Sequence, residues 1–330
     1  MKTMKKRGLA GIAVIVLILV GGGLWWGQAN SKLAPARSTS QSASRSNAPR
    51  PTKKAKTPAK KAKTSGQTSK AYPFKTITQQ TVGKLKGHNS VAIATSFSGD
   101  HYQWHNQAQR AASDIKVFIL ATVYHQVDQG KYQLSGHYTL RDADKVGGTG
   151  SLQGMAAGTT VTNQQLLHYM MTVSDNTATN VILRQVGGLG VVNQYARELG
   201  AKDTHVVRKM MDQKALDAGT DNLTSVADLS MVLMKLWRHQ LISTSADTAM
   251  LKLMSENTNH SKLPKNVPTD RTIYNKTGEF DTYGVENDAA IFAKGGKAVV
   301  VVAMSEGGQL GQQIPAMNRL GQQVDHAVFG

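Results

Sequence analysis

The chain has 330 residues, no cysteine and a formal net charge of +18. Without cysteine there can be no disulfide, thiolate metal site, cysteine nucleophile or lipid-modified N-terminal Cys. The charge would suggest nucleic acid, but the first 72 residues hold 15 Lys or Arg and no Asp or Glu, which leaves 24 basic against 21 acidic residues in the other 258; a nucleic-acid-binding unit carries its basic patch on the folded part, so that class is set aside.

Lys2, Lys5, Lys6 and Arg7 precede an uncharged stretch from Gly8 to Ser31, whose apolar heart, Leu9 to Trp26, is 18 residues long. That is near the lower limit for a bilayer-spanning helix. Basic residues before it favour a cytoplasmic N-terminus, and Trp25-Trp26 suit the far interface. Residues 1–29 are therefore expected to be a retained membrane anchor. The competing reading is a cleaved signal peptide, with Gly27-Gln28-Ala29 as a poor small-x-small site. Both export the rest of the chain, either held at the cell membrane by a single pass or secreted. Residues 30–72 are almost wholly Ser, Thr, Ala, Pro, Lys and Arg. They cannot bury enough apolar area to offset their ordering entropy and read as a disordered, self-repelling spacer. A solvated tether is the better reading of this spacer than adhesion to anionic wall polymers or lipid head groups.

From about Tyr72 the pattern turns globular, and residues 73–330 form one unit. Ser90–Ser96 with the following Ser-Gly-Asp turn predicts a hairpin continuing into His101–His105. Residues 113–127 (SDIKVFILATVYHQV) predict a buried helix. Helical stretches follow around Thr162–Thr172, Asn176–Val186, Gly190–Leu199 and Thr224–His239. Strand signals return in Arg271–Asn275, Val285–Ala293 and the β-branched run Ala298–Met304, and Leu310–Phe329 reads as an amphipathic helix. Strands at both ends of a helical middle imply a sheet made from the two termini. Segments 73–112 and 271–330 would form the α/β part and 113–270 the mainly helical one, with no internal repeat.

Three strings carry the chemistry: Ser113-Asp114-Ile115-Lys116, Ser174-Asp175-Asn176 and Lys276-Thr277-Gly278. A serine hydroxyl needs a base within hydrogen-bond reach. Ser113 and Lys116 are three apart, one helical turn on the same face. Ser113 would also begin the helix, where backbone N–H groups favour negative charge. Lys116 serves as a base only if burial and a nearby positive charge depress its pKa. Taken alone, this string fits an N-cap serine with a surface lysine. Ser174-Asp175-Asn176 lies between helices and fits a cap; functionally, Ser174 would relay protons, Asn176 would bond the substrate's amide and Asp175 would pin the loop. Lys276-Thr277-Gly278 ends a predicted strand whose edge can pair with an extended peptide. Gly278 permits close backbone approach, and Lys276 with Thr277 can hold a carboxylate. Taken alone, it is a strand end and a glycine turn.

In combination and in this order the strings make the chain resemble the class A β-lactamases and their relatives among penicillin-interacting serine hydrolases. The resemblance covers about residues 73–330. It implies an α/β (α+β) fold, with an antiparallel sheet from the N- and C-terminal parts, flanking helices, an inserted all-helical domain and a cleft between them. It implies that Ser113 is the acylated nucleophile, that Lys116 and Ser174 move protons, and that Asn176 positions substrate. Lys276 and Thr277 would bind the substrate carboxylate beside Gly278, and the backbone N–H groups of Ser113 and Glu279 would form the oxyanion hole.

One departure stands out. The class carries a loop glutamate, two residues after an arginine, that activates the deacylating water. If Arg208 is that arginine, the glutamate's place falls on Met210, with Asp212 two residues further along. An acyl-enzyme formed with a β-lactam should then be long-lived. The expected function is an exported serine hydrolase acting on β-lactam or D-Ala-D-Ala-type peptide carbonyls. The alternatives are a penicillin-binding D-alanyl-D-alanine carboxypeptidase-like wall enzyme and a low-turnover binder of wall fragments. A monomer without cofactor or metal is expected, since the ten histidines (His101, His105 and His125 among them) are scattered with no HExxH pattern.

Overall fold

The computed structural model describes residues 72–330. The expected anchor or signal over 1–29 lies outside the described residues, as does the expected spacer over 30–72 apart from Tyr72. Among the described residues no helix is long and apolar enough to cross a membrane.

The first part of the fold contains α1 (Phe74–Thr81), β1 (His88–Thr95), β2 (His101–Trp104) and β3 (Gln109–Arg110). A 3-10 turn, Ala112–Ile115, leads into α2 (Lys116–Asp128). Then come β4 (His137–Thr139), β5 (Thr160–Thr162), α3 (Asn163–Thr172), α4 (Asn176–Gln185), α5 (Leu189–Leu199) and α6 (Gln213–Asp217). They are followed by β6 (Leu223–Thr224), α7 (Val226–Trp237) and α8 (Thr244–Ser255). The chain closes with β7 (Thr272–Phe280), β8 (Val285–Lys294), β9 (Lys297–Glu306) and α9 (Leu310–Phe329).

Five strands form one antiparallel sheet in the order β2-β1-β9-β8-β7, so the two ends of the unit meet in it as the strand signals imply. β1 pairs directly with β9, Val91 opposite Ala303. The valine-rich run of β9 is apolar at every position because both faces of the sheet are covered. Val299, Val301 and Ala303 pack with Phe74 of α1 and Leu320 and Val324 of α9. Val300, Val302 and Met304 join the larger core built by the helices.

At the centre of that larger core lies α2, every residue of which from Lys116 to Tyr124 is buried. A helix apolar on all sides needs neighbours on all sides, and α3, α4, α5 and α8 supply them. Side-chain caps set the helix starts. Thr162 and Gln165 form a capping box on α3, Asp175 caps α4 and Ser225 caps α7.

Two expectations are corrected. β7 does not end at Asn275 but runs through Lys276-Thr277-Gly278 to Phe280, because the buried β8 offers a continuous ladder that pairs even Gly278, opposite Asn287. Ser113 sits in the 3-10 turn ahead of α2 rather than at the start of the α-helix. α1, α6, α8 and the short strands β3 to β6, three of them within the segment expected to be helical, carry no sequence signal. α8 packs against α2, α3 and β7, and its Asp247 ties it to the preceding loop by accepting backbone N–H bonds from Leu241 (2.9 Å) and Ile242 (3.1 Å).

Candidate active site

The turn carrying Ser113, the α3–α4 loop carrying Ser174 and the middle of β7 converge on one cleft. Two of the three approaches hold unusual backbone. Among the described residues five non-glycines have positive φ, and they include Ala112 (+45°), just before Ser113, and Ser174 itself (+54°). Such conformations cost about 1–3 kcal/mol each and persist only where the surroundings hold them.

Asp175 does the holding at Ser174. Its carboxylate accepts backbone N–H bonds from Ala178 (2.8 Å), capping α4, and from Ser151 (2.6 Å) and Leu152 (2.8 Å) in the facing loop. On β7 the close approach is made by Gly278: a Cβ there would stand 2.9 Å from the Ala111 carbonyl oxygen and 3.0 Å from the Ser113 nitrogen. Only glycine lets the strand lie against the turn that presents Ser113.

Lys116 is fully buried, and its Nζ is 3.0 Å from Ser113 Oγ, 2.7 Å from the Ser174 carbonyl oxygen, 3.0 Å from Ser174 Oγ and 3.0 Å from Asn176 Oδ1. The two carbonyl oxygens can only accept. A neutral amine therefore directs its two N–H groups to them and leaves its lone pair for a hydroxyl proton. Burial, and after it the Lys276 charge, hold the Lys116 pKa well below the usual lysine value, against the opposing pull of Asp175 and Glu279. Lys276, also fully buried, donates to Ser174 Oγ at 3.1 Å and to the Thr277 carbonyl at 2.7 Å. Burial lowers its pKa too, with Glu279 and Asp114 pulling the other way. A continuous chain results, from Ser113 Oγ through Lys116 Nζ and Ser174 Oγ to Lys276 Nζ.

Asn176 accepts from Lys116 and donates to the Gly147 carbonyl at 3.2 Å, which leaves one amide N–H free for a ligand. The cleft above Ser113 has a volume of about 170 Å³. It is lined by Ser113, Asn176, Gly148 and Thr149, by Glu279 and Phe280 of β7, and by Arg208, Met210, Met211 and Leu216 from the segment between α5 and β6.

That segment is fixed from beneath. The buried Arg208 pairs with Asp221 at 2.7 Å, and Asn222 Oδ1 accepts from the backbone N–H groups of Val207 (2.8 Å) and Arg208 (3.0 Å). The Asn180 amide clamps the Met210 backbone twice, accepting from its N–H at 2.8 Å and donating to its carbonyl at 3.0 Å. Met210 thus faces Ser113 across the cleft, whereas the Asp212 carboxylate caps α6 through Ala215 N–H at 3.1 Å and does not line it.

Every site residue expected from the sequence lies in this neighbourhood. Sequence reasoning missed three more. Asn180 follows Asn176 by four residues, and that one-turn spacing could have placed it on the same helix face. Lys262 and Asp114 carried no such signal. Lys262 is buried from a loop, and Asp114 has both carboxylate oxygens unpaired; burial drives its pKa well up. Among the described residues no group of three or more His, Asp or Glu could hold a metal ion; His101 and His105 are exposed, on and just after β2.

A family model described as the β-lactamase enzyme family matches residues 75–328. A β-lactamase of Streptomyces fradiae is 29% identical over 200 residues, 58% of this chain and 64% of that protein. An extended-spectrum β-lactamase of Pseudomonas aeruginosa is 30% identical over 173 residues, 50% of this chain and 56% of that one. The chain thus spans under two-thirds of these relatives. Among solved structures, a β-lactamase of Sphaerobacter thermophilus superposes with a TM-score of 0.71 at 27% identity, covering 76% of this chain and 94% of that one. PBP-A superposes with a TM-score of 0.70 at 25% identity, covering 77% and 94%, and a mutant of PBP-A is known as an acyl-enzyme complex with penicillin G.

Proposed function

This chain belongs to the β-lactamase enzyme family, and from that premise we propose that it opens β-lactam or D-Ala-D-Ala-type peptide carbonyls through an acyl-Ser113 intermediate. The observation that carries the reading is the position of Lys116 Nζ, 3.0 Å from Ser113 Oγ with both of its N–H groups already committed to carbonyls. Ser113 Oγ bonds to the substrate carbonyl carbon as its proton passes to the Lys116 lone pair. The negative charge on the former carbonyl oxygen is met by the backbone N–H groups of Ser113 and Glu279. As the C–N bond breaks, the leaving nitrogen takes a proton from Ser174 Oγ, which recovers one from Lys116; Lys276, 3.1 Å away, steadies the relay and, with Thr277, faces the substrate's carboxylate. Asn176 holds the substrate amide through its free N–H.

Deacylation is the slow step in this proposal. Met210 lines the cleft with Ser113, and with Arg208 taken as the class's arginine it stands in for the water-activating glutamate, while Asp212 is committed to a helix cap. That feature, with the likeness to PBP-A, favours a penicillin-binding wall enzyme as the second reading. Brief exposure to a penicillin followed by intact-mass measurement tests both. The expected result is a persistent adduct on the wild type, none on Ser113→Ala, and negligible nitrocefin turnover. In Met210→Glu the adduct decays faster. Rapid nitrocefin turnover by the wild type would establish an antibiotic-degrading enzyme instead, and absence of any adduct would remove the acyl-serine proposal. Export, by an anchor or a cleaved signal in residues 1–29, completes the proposal and rests on the sequence pattern there; membrane fractionation with protease protection checks it.

A further inference from the structure

The end of the cleft where a substrate carboxylate would anchor already holds one. Glu279 follows Gly278 directly on β7 and lines the cleft with Ser113. Its carboxylate is 2.9 Å from the ammonium of Lys262 and accepts from Asn259 Nδ2 at 3.0 Å, yet its side chain keeps 31% exposure. Lys262 itself is saturated. Its Nζ also meets Glu286 at 2.5 Å and the carbonyl oxygens of Gly278 and Asn287 at 3.0 Å each, more partners than three N–H groups can serve. Lys276, the other cation there, commits two of its three N–H groups to Ser174 Oγ and the Thr277 carbonyl. Two lysines therefore face two glutamates, and the subsite lacks the surplus of positive charge that captures an anion. Burial pushes the Glu279 pKa up, but Lys262 and Lys276 outweigh it and hold the carboxyl below its usual value, so it is ionised at neutral pH.

We propose that the Glu279 side chain is a built-in anion in the carboxylate-anchoring end of the cleft. Glu279 then penalises a free carboxylate held by Lys276 and Thr277, relative to the same site without it, and spares acyl donors that are uncharged or cationic at that position, such as a peptide continuing as an amide. Like charges brought together in a partly desolvated site repel strongly, and an incoming carboxylate must either displace Glu279 from Lys262 or bind beside it. The role is one of specificity and is separate from the backbone N–H of the same residue. It rests on the acyl-serine reading above for its substrates, though not for the charge balance.

The test compares the full-length wild type with Glu279→Gln and Glu279→Ala. Acylation rates are measured by intact mass with a penicillin bearing its free carboxylate and with its methyl ester, and sulfate affinity is measured by calorimetry. The expected result is a rise of about tenfold or more in the free-acid to ester rate ratio in both variants, with sulfate binding tightened by a similar factor. A rate ratio unchanged within about twofold, with acylation present, overturns the inference and leaves the hydrolase intact. If no protein is acylated by either compound, sulfate decides. Tighter binding by the variants then sustains the built-in anion while the acyl-serine reading falls, and equal binding overturns it. Because Glu279 is partly exposed, Glu279→Gln is expected to fold; a thermal melt matching the wild type confirms this before the comparison is read.

Discussion

Lys116 shows how a side chain's chemistry follows from its neighbours. An ordinary lysine is an ammonium ion at neutral pH and cannot accept a proton. Burial removes the solvation that stabilises the charge, and Lys276 adds repulsion. A base with a depressed pKa is active above that pKa and is lost as the pH falls through it. The acylation rate should therefore fall on an acid limb set by Lys116. Lys276→Ala removes a positive neighbour, so the Lys116 pKa rises and the limb moves to higher pH, in addition to an overall loss of rate. A pH profile of penicillin acylation checks this; a limb displaced to lower pH, or unmoved, would refute the role of Lys276 in tuning Lys116. Ser174 Oγ lies between the two lysines, within 3.1 Å of each Nζ.

Among the elements, the α3–α4 loop and the start of α4 have the least slack. Ser174 takes a left-handed backbone that a non-glycine avoids, and Asp175 sustains it by bonding three backbone N–H groups across two segments. Asp175→Ala removes a helix cap, worth about 1 kcal/mol, and strips the acceptor from two further N–H groups, of which the buried one of Leu152 costs about 1–3 kcal/mol and the part-buried one of Ser151 little. A loss of roughly 2–4 kcal/mol in unfolding stability is expected, together with a large fall in acylation as Ser174 drifts from Lys116. Urea unfolding and the intact-mass assay measure the two effects; full stability and full activity in this variant would show that the loop is held by something else. Gly278 is the corresponding tight point on β7, where the strand touches the Ser113 turn through backbone alone.

Among the described residues the two apolar cores share one sheet, with successive residues of β9 serving opposite cores. Loss of packing on either side should weaken both. Leu120→Ala in α2 and Leu320→Ala in α9, each fully buried, are expected to cost about 2–5 kcal/mol each and to lower a single unfolding transition. Two separate transitions in a calorimetric scan of either variant would mean that the layers fold independently.

Composition and hydropathy period were enough to read the sheet-forming ends and the buried helix α2, and the family resemblance of the three short strings joined Ser113, Lys116, Ser174, Asn176 and Lys276 into one site. Those signals are local: a period of two, an apolar run, a spacing of three. What the chain could not disclose in one dimension depends on packing. β7 runs past its glycine because β8 pairs with it, and Met210 rather than Asp212 faces Ser113 because Asn180 and the α6 cap hold the loop in that register. Lys262 carries no motif at all. It becomes part of the site only when folding buries its ammonium among Glu279, Glu286 and two carbonyls, since burial and charge pairing are properties of neighbours in space, not along the chain.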